Sequence, residues 1–201
     1  MKAIILRSPG GPEVLERVDL PLPVPKPGEA RVKAMAIGVG RPDALIRTGR
    51  YMWMPPLPAI PGNEVAGIVD ALGPDAADAG VSVGDRVLLS SRELPQRGGG
   101  YAEFACASAA ALYRLPDAIS FDAAGSLPNF QLAQALLFGS GAADARSVLV
   151  TGAAGGVASA MAQLACARGL QVSWPRRGGP MNCSTRPTPS ASSSCAPEEN
   201  L

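Results

Sequence analysis

Through residues 1–120 the apolar positions come in short bursts with the two-residue period of a pleated strand, and each burst stops at a cluster of Gly, Pro or Asp. Lys2–Leu6, Val14–Leu20, Ala30–Ile37, Glu64–Ala71, Arg86–Ser90 and Tyr101–Cys106 alternate or run in β-branched residues, which predicts strands. Turn sequences separate them: Pro9-Gly10-Gly11-Pro12, Pro25-Lys26-Pro27-Gly28, Gly73-Pro74, Gly84-Asp85 and Gly98-Gly99-Gly100. Short strands at this spacing predict a β-barrel or sandwich. One helix, about Pro42–Thr48, interrupts them and carries Asp43 and Arg47.

From Phe121 the period changes. Ala123–Leu127 and Phe130–Phe138 are rich in Ala and Leu and free of β-branched residues, which predicts helices, with Asp122 near one amino end and a domain junction near residue 120. Ser147–Leu170 then reads as strand, tight turn and helix. Val148, Leu149 and Val150 form an uninterrupted apolar run, expected of a strand covered on both faces in a parallel sheet. Gly152, Gly155 and Gly156 allow a tight turn and a close backbone approach, and Val157, Ala160, Met161 and Leu164 share one helical face. Gly169 falls where a C-terminal cap belongs. A helix start of this kind turns unpaired amides and the positive end of the dipole toward a phosphate. The glycine fingerprint is imperfect, because the G-x-G-x-x-G places hold Ala153, Gly155 and Ala158, and an ordinary βα turn looks similar.

Composition narrows the function classes. The chain has 201 residues, 47% apolar and 17% charged, with a formal net charge of +1. That balance is typical of a soluble globular protein and leaves no electrostatic footprint for nucleic acid or an anionic membrane. No apolar run approaches a membrane-spanning length, and the segment before Arg7 is too short for a signal-peptide core, so the expected location is the cytoplasm. The histidine count is zero, which removes the commonest zinc ligand and the commonest general base. Cys106, Cys166, Cys183 and Cys195 include no C-x-x-C pair and do not form a disulfide framework.

Ile60-Pro61-Gly62-Asn63-Glu64, Gly67, Gly84-Asp85-Arg86-Val87, Gly100-Tyr101-Ala102-Glu103, Leu115-Pro116-Asp117 and Gly152–Val157 stand in the order and spacing of a known family. Over about residues 1–172 the chain resembles the quinone oxidoreductase (zeta-crystallin-like) branch of the medium-chain dehydrogenase/reductase superfamily. The resemblance implies an α+β GroES-like β-barrel catalytic domain over residues 1–120, followed by an α/β Rossmann domain with NADPH in the cleft between them. Residues 121–172 would supply only the connecting helices and the first βα unit, so the Rossmann domain is expected to be incomplete. The implied reaction is hydride transfer to a quinone or an α,β-unsaturated carbonyl, a chemistry the nicotinamide carries.

Site residues follow from the same resemblance. Ala154, Gly155, Gly156 and Val157 would lie along the pyrophosphate, Tyr51 would line the substrate cleft, and Asp43 would stand in the same wall. Tyr51 reads equally as a loop aromatic and Asp43 as a helix-start residue. The resemblance assigns no catalytic side chain and no metal ligand: zinc-bearing relatives carry Gly-His-Glu where this chain has Gly62-Asn63-Glu64, and a cysteine cluster where Leu88–Gly99 has none. Two positions depart from the branch. Gly38-Val39-Gly40 replaces Gly-Val-Asn, and Leu132-Ala133-Gln134 replaces Leu-Thr-Ala.

From Ser173 to Leu201 the chain is dense in Pro, Ser, Thr, Gly and Arg and lacks an apolar period, which predicts a disordered tail unable to build a core. No Asp or Glu lies between Asp144 and Glu198, so the acidic ribose partner expected after the glycines is missing, and Arg176 and Arg177 read as tail residues. The expectation is a reading-frame shift or truncation scar at residues 173–201. Three functions stay open: a zinc-free NADPH-dependent reductase; an inactive remnant that aggregates or associates with a full-length homologue; and an interaction module built on the barrel. The motifs do not separate quinone, alkenal and enoyl-thioester substrates, or NADH from NADPH, and no regular dimer is expected.

Overall fold

The structure is a computed structural model that describes residues 1–90, 97–139, 145–176 and 179–183. The chain divides into two compact units, Met1–Pro128 and Asn129–Leu201. The first therefore runs past the change of pattern at Phe121 and keeps the following short helix.

Five strands make the main sheet of the first unit: β3 (Glu29–Gly38), β4 (Glu64–Leu72), β5 (Arg86–Ser90), β6 (Phe104–Ser108) and β7 (Leu112–Arg114). They are ordered β6-β3-β4-β5-β7 and every pairing is antiparallel. A separate hairpin joins β1 (Lys2–Leu6) to β2 (Leu15–Asp19). The helix α1 (Arg41–Arg47) lies between β3 and β4 in sequence, close to its predicted position.

The faces of the sheet explain the apolar pattern. Val32, Val65, Val69, Val87, Leu89, Ala105 and Ala107 pack into one core. Ala66 and Leu88 point the other way, into a second cluster with Leu115, Ala124, Ile119 and Phe121. Consecutive Val87-Leu88-Leu89 is therefore buried on both faces, and its unbroken apolar run has no polar alternate. At Met35 an irregularity in the ladder steps the register from Ala34↔Gly67 to Ala36↔Ala66. An extra residue turns the strand over, so Ala34 packs on the first core and Ala36 on the second.

Arg86 closes the second cluster. Its guanidinium lies 4.6 Å from the Phe121 ring centroid and donates to the carbonyls of Asp117, at 2.9 Å, and Ile119, at 2.5 Å. The Leu115 amide donates to the Arg86 carbonyl at 2.8 Å. The Gly84-Asp85-Arg86 and Leu115-Pro116-Asp117 sequences are thus contact partners.

Three elements differ from the pattern-based expectation. The strand predicted at Tyr101–Cys106 runs instead from Phe104, because Gly100–Glu103 gives its backbone hydrogen bonds to β1 and to the Pro61 turn. Strand β7 is only three residues long, too short to show a period. The predicted helix at Ala123–Leu127 is α2 (Phe121–Ala124), which starts two residues earlier with the Ser120 hydroxyl accepting from the Ala123 amide at 3.2 Å. It stops at Gly125, and α3 (Leu127–Phe138) follows.

In the second unit β8 (Ser147–Leu149) pairs parallel with β9 (Gln171–Arg176), and α4 (Gly156–Ala167) connects them. Val150, Val172, Ala165 and Leu137 form its core, with Met161, Leu164 and Trp174 packed against it. The helix ends as predicted: Leu170 donates to Ala165 and Gly169 to Cys166, closing the last turn.

Two expectations fail here. Leu149 is 66% exposed, so β8 is not covered on both faces among the described residues. The irregular tail does not begin at Ser173 either, since β9 continues to Arg176 and pairs antiparallel with β10 (Gly179–Cys183). A sheet ladder is made by backbone groups and needs no apolar period, and Val172, 1% exposed, anchors the strand. Residues 177–178 and 184–201 of the expected tail lie outside the described residues. Among the described residues no helix is long and apolar enough to cross a membrane.

Leu88→Ala should cost about 2–4 kcal/mol, because it empties the second cluster. Leu149→Ser should stay within about 0.5 kcal/mol. Urea denaturation of the full chain checks both, and an equal loss for the two would overturn this assignment of the faces.

Candidate functional site

The predicted tight turn between β8 and α4 is present in the second unit. Gly152 has φ +67°, a conformation that favours glycine, and a side chain there would meet no heavy atom within 4 Å. The Gly155 amide donates to the Gly152 carbonyl at 2.9 Å, which closes the turn, and Ser159 makes the first helical bond back to Gly155 at 2.8 Å. The amides of Gly156, Val157 and Ala158 precede that bond and have no partner within the helix. Ala154, Gly155 and Gly156 are exposed and Val157 is half-buried, so a ligand has access to the turn.

Beside it stands a residue the sequence pattern did not mark. A Cβ on Gly156 would lie 3.1 Å from the side-chain nitrogen of Asn129, on α3. The turn thus has a neutral side-chain donor as a neighbour. Asn129 sits inside a stretch recognised only as helical, which gave no local signal of this approach. The residues fit a dinucleotide phosphate: the backbone is open, the donors are neutral or dipolar, and no side chain stands over Gly152.

In the first unit the structure makes Asp43 the centre of a buried polar cluster. Asp43 is 7% exposed and Asn63 is 8% exposed. The Gly40 amide donates to Asp43 Oδ2 at 2.8 Å, and Asn63 Nδ2 donates to Asp43 Oδ1 at 2.7 Å. The Tyr101 hydroxyl donates to the same carboxylate. Burial pushes the Tyr101 phenol well above its ordinary range, and the negative charges of Asp43 and Glu64 push it further. Asp43 is therefore a helix-start residue, as one of its two readings had it, and its carboxylate is also the acceptor that joins three segments.

Glycine geometry brings those segments together. Gly62 has φ +95°, and a Cβ there would lie 2.3 Å from the Tyr101 ring. Backbone bonds run from Tyr101 to Pro61 at 2.9 Å and from Gly100 to Gly62 at 3.0 Å. Asn63 and Tyr101 were legible only as family motif positions, because their partnership with Asp43 is long-range.

Tyr51 follows α1 and takes a different partner. Its ring packs edge-on against Trp53, with centroids 5.7 Å apart and planes at 69°. The 154–157 turn belongs to the second unit, whereas Asp43 and Tyr51 belong to the first. Among the described residues no group of three or more His, Cys, Asp or Glu side chains is placed to hold a metal ion.

With this geometry in hand, comparisons with known proteins are informative. Residues 26–117 match the model of the alcohol dehydrogenase GroES-like domain. The quinone oxidoreductase of Pongo abelii is 41% identical over 175 residues, which cover 86% of this chain and 51% of that protein. A mycobacterial protein solved in complex with NADPH is 40% identical with a TM-score of 0.74, over 86% of this chain and 52% of its own. The Escherichia coli quinone oxidoreductase, also solved with NADPH, is 32% identical with a TM-score of 0.74, over 86% and 51%. The chain spans about half the length of the curated relatives it matches.

Tyr101→Phe should leave Asp43 one donor short and cost about 1–2 kcal/mol. The raised phenol also sets a pH dependence: the folded state keeps the proton longer than the unfolded one, so this stability is complete below about pH 10 and is lost as pH rises beyond it. Urea midpoints measured from neutral pH to about pH 11 should fall less steeply in Tyr101→Phe than in the parent. Parallel curves would remove Tyr101 from the cluster.

Proposed function

The chain belongs to the medium-chain dehydrogenase/reductase superfamily, among the relatives of the quinone oxidoreductases, and on that premise we propose that it derives from an NADPH-dependent reductase of quinones or α,β-unsaturated carbonyls. The observation that carries the reading is the unit β8, glycine turn, α4 and parallel β9, with an exposed helix start. Bound there, NADPH would supply the hydride. The amides of Gly156 and Val157 would bind its pyrophosphate, while Gly155, whose own amide closes the turn, and Ala154 would keep the backbone open to its approach.

Chemistry without zinc is supported by the absence of histidine from the sequence and by the engagement of the Asn63 amide nitrogen with Asp43, since an amide nitrogen is no metal ligand. In the first unit the Asp43 cluster would act indirectly. It ties the start of α1 to the 61–63 turn and so fixes the segment that leads to Tyr51, the proposed wall of the substrate cleft. A cytoplasmic location and a small-molecule quinone or enone partner belong to the same proposal.

A second reading is favoured by apolar surface that nothing described covers. Leu149 is 66% exposed, and Met35 and Val39, on the rim of an apolar groove of about 530 Å³, are 51% and 82% exposed. Through these surfaces the chain would associate with a full-length homologue or aggregate without holding cofactor.

Nicotinamide emission during NADPH titration tests the first reading, with saturable enhancement expected. Gly156→Asp should raise the dissociation constant at least about tenfold, because a carboxylate that suits the helix dipole would oppose the phosphate, with the Asn129 side chain shifting to admit the new Cβ. Unchanged emission at millimolar NADPH, together with a high-mass species on size exclusion, would favour association instead.

A further inference from the structure

Next to the proposed substrate wall the chain exposes an aromatic side chain that neither core uses. Trp53 is 58% exposed, although an indole is among the most costly side chains to leave in water. It is also held in place. The guanidinium carbon of Arg97 lies 5.6 Å from the Trp53 ring centroid, and the Tyr51 ring packs edge-on against it. With a cation over the ring and a phenol at its side, the exposed indole area is a flat, oriented π surface. Met52, 82% exposed, stands beside it in the chain and offers an adaptable apolar flank.

We propose that Trp53, steadied by Tyr51 and Arg97, is a stacking platform that selects planar aromatic substrates, fused-ring quinones in particular, over aliphatic enones. An electron-poor quinone ring complements the electron-rich indole face. The Arg97 charge favours the carbonyl oxygens that such a ring carries and the negative charge that grows on them as the ring is reduced. An aliphatic enone has the carbonyl but no ring, so it gains only the second contribution. The substrate class named here rests on the reductase reading, but the stacking itself needs no NADPH.

The test separates the two. Trp53 and Trp174 are the only tryptophans, so a Trp174→Phe chain reports on Trp53 alone. Titration with a fully ring-substituted naphthoquinone, which cannot alkylate a thiol, should quench its emission along a saturating curve in the absence of NADPH. By equilibrium dialysis Trp53→Leu should bind that quinone about tenfold more weakly and an aliphatic enone unchanged. Quenching that rises linearly, as for free tryptophan, or a dialysis constant that Trp53→Leu leaves alone, overturns the platform. NADPH binding is followed separately through nicotinamide emission, so its failure beside a saturating quinone curve sinks the reductase reading and supports the platform.

Discussion

A carboxylate held away from water sets the terms for the first unit. A buried ionised group is tolerated only where donors replace the water it gave up. Asp43 collects one donor from each of three places: the Gly40 amide at the start of α1, the Asn63 amide in the turn before β4, and the Tyr101 hydroxyl in the segment before β6. No two of these are neighbours in sequence. The turn before β4 and the segment before β6 can meet only because Gly62 has no side chain where the Tyr101 ring passes. The charge and the glycine are therefore one constraint, and the loops around it have little freedom to move independently.

The same logic explains why particular short motifs occur together. Arg86 fastens the turn after β7 through the carbonyls of Asp117 and Ile119, and Asp85 receives Arg114 at 3.0 Å. Gly100–Glu103 hands its backbone to three neighbours: Tyr101 accepts from Ile4, Glu103 donates to Lys2, and the Glu103 carbonyl accepts from Ala34. What looks like a series of separate family signatures along the chain is a set of contacts between edges of one folded body.

The second unit is smaller and more open. Its three described strands are ordered β10-β9-β8, and β8 and β9 pack against α4 and the end of α3 through Leu137, Val150, Ala165 and Val172. A parallel pair is normally protected on both faces. Here Leu149 faces outward, in a chain that spans about half the length of the relatives it matches. The glycine turn does not depend on that second face. It is built from local backbone geometry, a Gly155 to Gly152 bond and a helix start, and so it forms wherever β8 and α4 form.

By itself the sequence determined the parts that local physics decides. The two-residue period placed β1, β3, β4 and β5 within a residue or so, the Ala-rich stretches placed the helices, and Gly152–Gly156 and Gly169 marked the turn and the cap of α4. Each of these is written in neighbouring residues, through propensity, periodicity or a demand for φ > 0. Tertiary structure decided the rest. Whether Asp43 was a surface cap or the centre of a buried cluster depended on Asn63 and Tyr101, which arrive from distant parts of the chain. Tyr101 left the strand it was predicted to start because β1 and the Pro61 turn offered its backbone better partners. Ser173–Arg176 became strand without an apolar period of its own, because Val172 and Trp174 pack into the core of the second unit and bring the main chain alongside β8 and β10.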